Sequence, residues 1–157
     1  LFFCLFSTLT AAQEKVSAAP FFAATLSNLD DKPVALERFR GKPLLVNFWA
    51  RWCPPCRAEI PELIRFSQAH KGEIEVVGIG IDDSAPLTKA FAREYGMSYP
   101  VFVGKEKGCP LIQALGNPRG GLPYTLFIDR NGRVIQTKLG LITKADLDAI
   151  TPQLLRK

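Results

Sequence analysis

Apolar and polar residues alternate along this chain in blocks that change period. Leu44–Trp49, "LLVNFW", is apolar at every position but Asn47. A run of this kind predicts a strand buried on both faces. From Pro54 to about Ala69 the period becomes helical, with Ile60, Leu63 and Ile64 on one face and Gly72 beyond the end. Pro61 interrupts that helix and is expected to kink it. "EIEVVGIGI", residues 73–81, is a second buried strand. Ser84 is placed to cap a helix through Tyr95, with Pro86 in its first turn and Gly96 after it. "YPVFVG" predicts a short strand, and Leu111 to Leu115 a short helix ending at Gly116.

The clearest local signal is "YTLFIDRNGRVIQTKLG", two apolar runs around Asn131-Gly132. Asn-Gly supplies the positive φ that a tight hairpin needs. Thr143 then caps a last amphipathic helix through Leu155. Upstream, Lys15 to Pro20 reads as a linker, and "FFAATLSNLDDKPVAL" as two extended pieces joined by an Asn/Asp-rich turn. Alternating strands and helices, closed by a hairpin and a helix, predict an α/β layered domain with a central mixed β-sheet flanked by helices.

Length fits this picture. The chain has 157 residues, enough for one domain with its own core. Its net charge of +5 is spread over scattered Lys and Arg residues rather than a stripe, which argues against nucleic acid as a partner. Residues 1–9, "LFFCLFSTL", are nearly all apolar yet too few to span a bilayer, which takes roughly 20 residues. They read as the end of a signal peptide or membrane anchor, with cleavage after Ala12 or Ala18 fitting the small residues that follow. Residues 1–18 are therefore assigned to export, with possible membrane tethering through the N-terminus, and 19–157 to the domain. Cys4 belongs to the export segment.

The candidate chemistry lies in "FWARWCPPCR". Cys53 and Cys56 stand where the buried strand gives way to the helix, so Cys53 falls at the helix N-cap and Cys56 one turn inside. The positive end of a helix stabilises an anion, so a Cys53 thiolate should form below the free-thiol pKa of ~8.5. Pro54 and Pro55 suit a first turn, where their missing N–H groups are not needed, and they stiffen the link. Three readings follow: a metal clip, a structural disulfide or a working redox pair. A structural zinc site needs four ligands, and the remaining candidates are Cys109 and His70, the latter better read as a helix-end residue. A structural disulfide gains little from closing so short a loop. The redox pair is favoured, with no metal and no cofactor. Cys53 is expected to be the accessible nucleophile and Cys56 its buried partner. Cys109 is read as a partly buried thiol without a defined role.

From Pro20 to Leu155 the chain resembles thioredoxin-fold proteins, and most closely the exported TlpA/ResA/CcmG group. The resemblance rests on "FWARWCPPC", on Pro61 in the first helix, on "GGLPYT" and on Glu59 three residues after Cys56. The strand–helix stretch Ile74–Tyr99 matches the group's central βα insertion. It implies a thioredoxin-like fold with an N-terminal β-hairpin and a cis peptide before Pro123. That cis bond would turn the Leu122 backbone outward to pair with substrate, while Trp52, Pro54 and Pro55 border the site. Arg119 is placed to add positive charge nearby.

Asn47 stands where thioredoxin has a buried Asp. Asn cannot titrate, which leaves Glu59 to exchange protons with Cys56. A salt bridge from Glu59 to Arg57 or Arg65 is the competing role. The implied function is a periplasmic thiol-disulfide oxidoreductase, soluble or anchored at its N-terminus. It would reduce protein disulfides, draw electrons from a membrane thiol reductase, and serve cytochrome c maturation. A thiol peroxidase of the peroxiredoxin group is the first rival. Those enzymes place a Pro-x-x-x-Thr/Ser segment before the reactive Cys, and Arg51-Trp52 stands here instead. A redox-inert binding or chaperone module is the second, disfavoured by the presence of both cysteines.

Overall fold

The structure, a computed structural model, describes residues 15–81 and 84–157. Most of the assigned export segment, including both Cys4 and Ala12, lies outside the described residues. Strands β1 (Thr25–Asn28), β2 (Pro33–Ala35), β3 (Leu44–Trp49), β4 (Glu75–Gly80), β5 (Val101–Val103), β6 (Tyr124–Ile128) and β7 (Val134–Leu139) form one seven-stranded sheet. Its order is β2-β1-β5-β4-β3-β6-β7. The central strands β5, β4 and β3 run parallel; β6 and β7 on one side and β1 and β2 on the other run antiparallel. The helices are α1 (Ala19–Ala23), α2 (Pro54–Ala69), α3 (Ala85–Tyr95), α4 (Gly108–Ala114) and α5 (Lys144–Leu154). This is the thioredoxin-like mixed α/β architecture.

Burial explains the strand patterns. Every residue of β3 and β6 is buried, as uninterrupted apolar runs require when both faces are covered. The edge strand β7 is never fully buried, and its polar positions tolerate that. The Asp129–Gly132 turn joining β6 and β7 is held by Asp129, whose Oδ1 accepts the amides of Asn131 and Arg133.

Four local expectations change. Phe21 and Phe22, both buried, are not extended as the hairpin reading expected. They lie instead in α1, whose first turn contains Pro20. The linker reading of Lys15–Pro20 gives way as well. Ala18 is buried, and Val16 packs on the core beside Gly116. Helix α4 starts earlier than the apolar spacing suggests. Gly108, at its first position, presses on the Ile81 carbonyl where no Cβ would fit. Lastly, Ser84 occupies the α3 N-cap without a side-chain cap bond; its carbonyl instead accepts from the Thr88 hydroxyl at 2.9 Å.

Candidate functional site

Strand β3 ends at Trp49, and after a short turn α2 begins at Pro54 with Cys53 as its N-cap. The turn is closed by Cys53 N–H, which donates to the Ala50 carbonyl at 3.2 Å. Cys53 and Cys56 are joined in a disulfide with their Cα atoms 5.3 Å apart. The Cys56 amide donates to Cys53 Sγ at 3.3 Å, so the cap of α2 is a sulfur atom. Pro54 and Pro55 fill the two preceding helical positions and are exposed. This amide is thus the first of the helix with an N–H to give, and it points at Cys53 Sγ.

In the disulfide both cysteines are covered, Cys53 at 3% and Cys56 at 1% exposure. Cys53 is bonded to Cys56 and accepts its amide. Trp52, at 63% exposure, stands beside them as the largest exposed apolar side chain of the site. Cys109 is corrected: it is exposed, because the first turn of α4 turns it outward while Gly108 is buried.

One helical turn past Cys56, Glu59 sits on the same buried face as Cys56, Ile60 and Leu63. It is 1% exposed. Its Oε1 accepts from Asn47 Nδ2 at 2.6 Å and its Oε2 from the Ile142 amide at 2.8 Å. Asn47 Nδ2 also donates to Thr125 Oγ1 at 3.1 Å. Burial pushes the Glu59 carboxyl up from 4.5 to about 7, against the opposing pull of the two hydrogen bonds and of Lys138. Arg65 does not serve as its salt-bridge partner, being engaged by Glu62 at 2.5 Å.

The Leu122–Pro123 peptide is cis. Phe48 pairs with Tyr124 across β3 and β6, so Pro123 comes level with the end of β3, where the cysteine loop leaves the sheet. The loop has two anchors that the sequence did not signal. Asn117 is buried and its Nδ2 donates to the Gly121 carbonyl at 2.7 Å, and the Gly140 amide donates to the Pro123 carbonyl at 2.8 Å. Leu122 is half-buried, and Arg119 is exposed in the same loop.

A buried sulfur pair at a helix N-terminus, a buried carboxyl of raised pKa behind it and a cis-proline loop alongside form a dithiol–disulfide site. The Redoxin family profile matches residues 14–150. The chain belongs to the Redoxin family. Among relatives, it is 32% identical to the thiol-disulfide oxidoreductase ResA of Bacillus thuringiensis over 96% of this chain and 88% of that protein. A thiol:disulfide interchange protein of the thioredoxin family from Chlorobium tepidum superposes with a TM-score of 0.74 at 30% identity, covering 92% of this chain and all of that one. A secreted Mycobacterium tuberculosis disulfide oxidoreductase homologous to E. coli DsbE shares the fold, with a TM-score of 0.71 at 22% identity over 87% and 99% of the two chains. This Redoxin-family chain is a thioredoxin-like thiol-disulfide oxidoreductase of the ResA type.

Proposed function

We propose that this oxidoreductase acts outside the cytoplasm as a reductant of disulfides in partner proteins, using Cys53 as nucleophile and Cys56 as resolving thiol. The observation that carries the assignment is the cap of α2: Cys53 Sγ accepts the Cys56 amide, which favours a thiolate on Cys53 rather than on Cys56. The Cys53 thiolate attacks one sulfur of the substrate disulfide and expels the other as a thiolate, forming a mixed disulfide. Cys56 gives its proton to the Glu59 carboxylate and attacks Cys53 Sγ. The Cys53–substrate bond breaks, the second substrate sulfur leaves as a thiolate, and the Cys53–Cys56 bond forms. Two electrons pass from the dithiol to the substrate, and the proton held on Glu59 returns to solvent or to a departing thiolate.

Trp52, Pro54, Pro55, Leu122 and Pro123 border the disulfide and form the substrate-binding rim, with Leu122 offering backbone groups to an extended substrate segment. Regeneration requires a dithiol donor, for which a membrane thiol reductase is the natural source, and cytochrome c maturation is the pathway in which such a reductant is needed. The apolar run at residues 1–9 supports export to the periplasm, with the domain either released or held at its N-terminus. Because Val16 and Ala18 pack on the domain, cleavage after Ala12 would leave the fold whole, whereas cleavage after Ala18 would remove packed residues. Among the described residues no helix is long and apolar enough to cross a membrane.

The test is turnover of insulin disulfides with a small dithiol as donor, together with the reduction potential of the Cys53–Cys56 pair. Reduction of insulin and a potential below that of the substrate disulfides are expected. An inert protein, or a pair more oxidising than its substrates, would contradict the reductant role.

A further inference from the structure

Strand β7 brings a cation to the row of side chains that holds Glu59. Lys138 pairs with Thr125 across β7 and β6, and Thr125 pairs with Asn47 across β6 and β3. Residues directly opposite in such ladders point to the same face of the sheet. On that face Asn47 bonds Glu59 of α2, and Lys138 bonds Asp146 of α5 at 2.5 Å. The turn before α5 closes the arrangement, because the Ile142 amide donates to the second Glu59 oxygen. Glu59 therefore lies where α2, β3 and the β7–α5 connection converge, with the Lys138 charge along the row.

The Lys138–Asp146 pair is not fully exposed: the two side chains are 29% and 27% accessible. Asp146 also accepts the Thr143 amide and hydroxyl, each at 2.8 Å, in the α5 cap. A capping box works with a neutral amide in place of the acid, so the cap itself does not call for the Asp146 charge. What the charge does is hold Lys138 and offset part of its field. The ionisable groups that face Glu59 among the described residues are Cys56 on α2, Lys138 on β7 and Tyr99 before β5, with Asp146 of α5 behind Lys138. Burial raises the Tyr99 hydroxyl, with the Glu59 charge adding to it, so Tyr99 stays neutral and Lys138 is the cation of the group. Burial raises Glu59 as well, and against it act the Ile142 amide, Asn47 and the Lys138 charge.

We propose that Lys138 is a positioning residue for the thiol chemistry, a cation shared between Glu59 and Asp146 that holds the buried Glu59 carboxyl ready to take the Cys56 proton. Glu59 must be a carboxylate before Cys56 attacks Cys53 Sγ, and it must hold the proton afterwards. The field of Lys138 favours the carboxylate and serves the first requirement. Asp146 offsets that field and serves the second. Both residues act through Glu59, and neither takes part in making or breaking a bond.

The proposal rests on the reading of Glu59 as the proton partner of Cys56, and the experiment separates the two. The Glu59 carboxyl stretch is followed against pH by infrared difference spectroscopy in the oxidised protein, where Cys53 and Cys56 are joined and do not titrate. Lys138→Met should weaken Glu59 as an acid about threefold. Asp146→Asn, which keeps an acceptor for the α5 cap, should strengthen it about threefold. Both effects are smaller than the roughly tenfold or more of an unshared contact pair. In the double variant Asp146→Asn should add nothing to Lys138→Met, because Asp146 works through the cation. Damage to packing would move both single variants the same way. Shifts of one sign, no shift, or a full Asp146 effect without Lys138 would overturn the proposal. A Thr143→Ala shift equal to that of Asp146→Asn would do the same, by assigning the effect to the cap. The pH midpoint of mixed-disulfide resolution, followed by stopped flow, should move with Glu59 in each variant. A midpoint that stays in place while Glu59 moves would contradict the role of Lys138 in the reaction. Unchanged thiol titration in Glu59→Gln would instead remove the proton-partner reading, and the role of Lys138 with it, whatever the infrared shifts.

Discussion

Helices α2 and α5 start in the same way and are finished differently. At α5, Thr143 Oγ1 accepts the Asp146 amide at 3.2 Å and Asp146 Oδ2 accepts the Thr143 amide at 2.8 Å, a closed capping box. Lys138 and Thr143 hold the Asp146 carboxyl below the usual carboxylate range, so the helix end carries a permanent anion. At α2 the cap is Cys53 Sγ, and the position that would hold the box acid holds Cys56. The acid comes one turn later as Glu59, buried and pushed up to about 7. A helix end already neutralised by a carboxylate has little left to offer a thiolate. Moving the acid from the first turn to the buried face leaves the dipole to the sulfur and, in the proposed mechanism, lets the acid accept the Cys56 proton. The two helix starts also meet: the Ile142 amide, just before the Thr143 cap, donates to Glu59.

The most severe way to break this comparison is to remove the sulfur cap. Cys53→Ser and Cys56→Ser should each lower turnover at least about a thousandfold, since the two thiols act as one unit. Only Cys56→Ser should accumulate mixed disulfides with its partners, visible as dithiol-sensitive bands in non-reducing electrophoresis. Adducts on Cys53→Ser alone would reverse the two roles.

Next in size is Glu59→Gln, which removes the acid and keeps the shape. The reduction and reoxidation steps that need Cys56 to lose or gain a proton should slow about a hundredfold, within the usual range for a positioned acid–base group. Stopped-flow rates at pH 7 check this, and rates equal to those of the unmodified protein would make Glu59 structural. Stability should respond with a defined sign. Glu59 titrates higher folded than unfolded, so its contribution is fully present below about 4.5 and is lost as pH rises toward 7. Denaturation midpoints of the unmodified protein should fall across that window, and those of Glu59→Gln should lose this component of the slope.

The smallest effect sharpens the contrast from the other side. Thr143→Ala opens the α5 box and should cost about 1 kcal/mol, or about 3 °C in Tm. Thiol titration should be unaffected, because α5 contributes a cap and no chemistry. A thiol shift as large as that of Glu59→Gln would mean that Thr143 governs the site through Ile142.

What the chain made legible was local. β3, α2 and the β6–β7 hairpin were readable because a buried run, a helical period and an Asn-Gly turn are each written in consecutive residues. Cys53 and Cys56 were readable for the same reason, and the cis peptide at Pro123 followed from the resemblance carried by "GGLPYT". Contacts between distant segments left no such mark. Nothing near Ile142 signals that its amide binds Glu59, 83 residues away in sequence. Nothing in "GNPRGG" shows Asn117 holding the Gly121 carbonyl. Phe21 and Phe22 read as strand because an apolar pair carries no period, and the burial of both on α1 is decided by the core they meet.

The central claim is that the α2 end activates Cys53 while Glu59 exchanges the proton of Cys56. It is tested most directly by ultraviolet thiolate absorbance against pH. The reduced protein and its Glu59→Gln form are compared, both in a Cys109→Ser background so that the exposed thiol does not contribute. The account predicts a first thiolate forming below the free-thiol value of ~8.5, and in Glu59→Gln one fewer coupled step with both thiol transitions moved to lower pH. Superimposable curves for the two proteins, or a first transition at or above the free-thiol value, would contradict it.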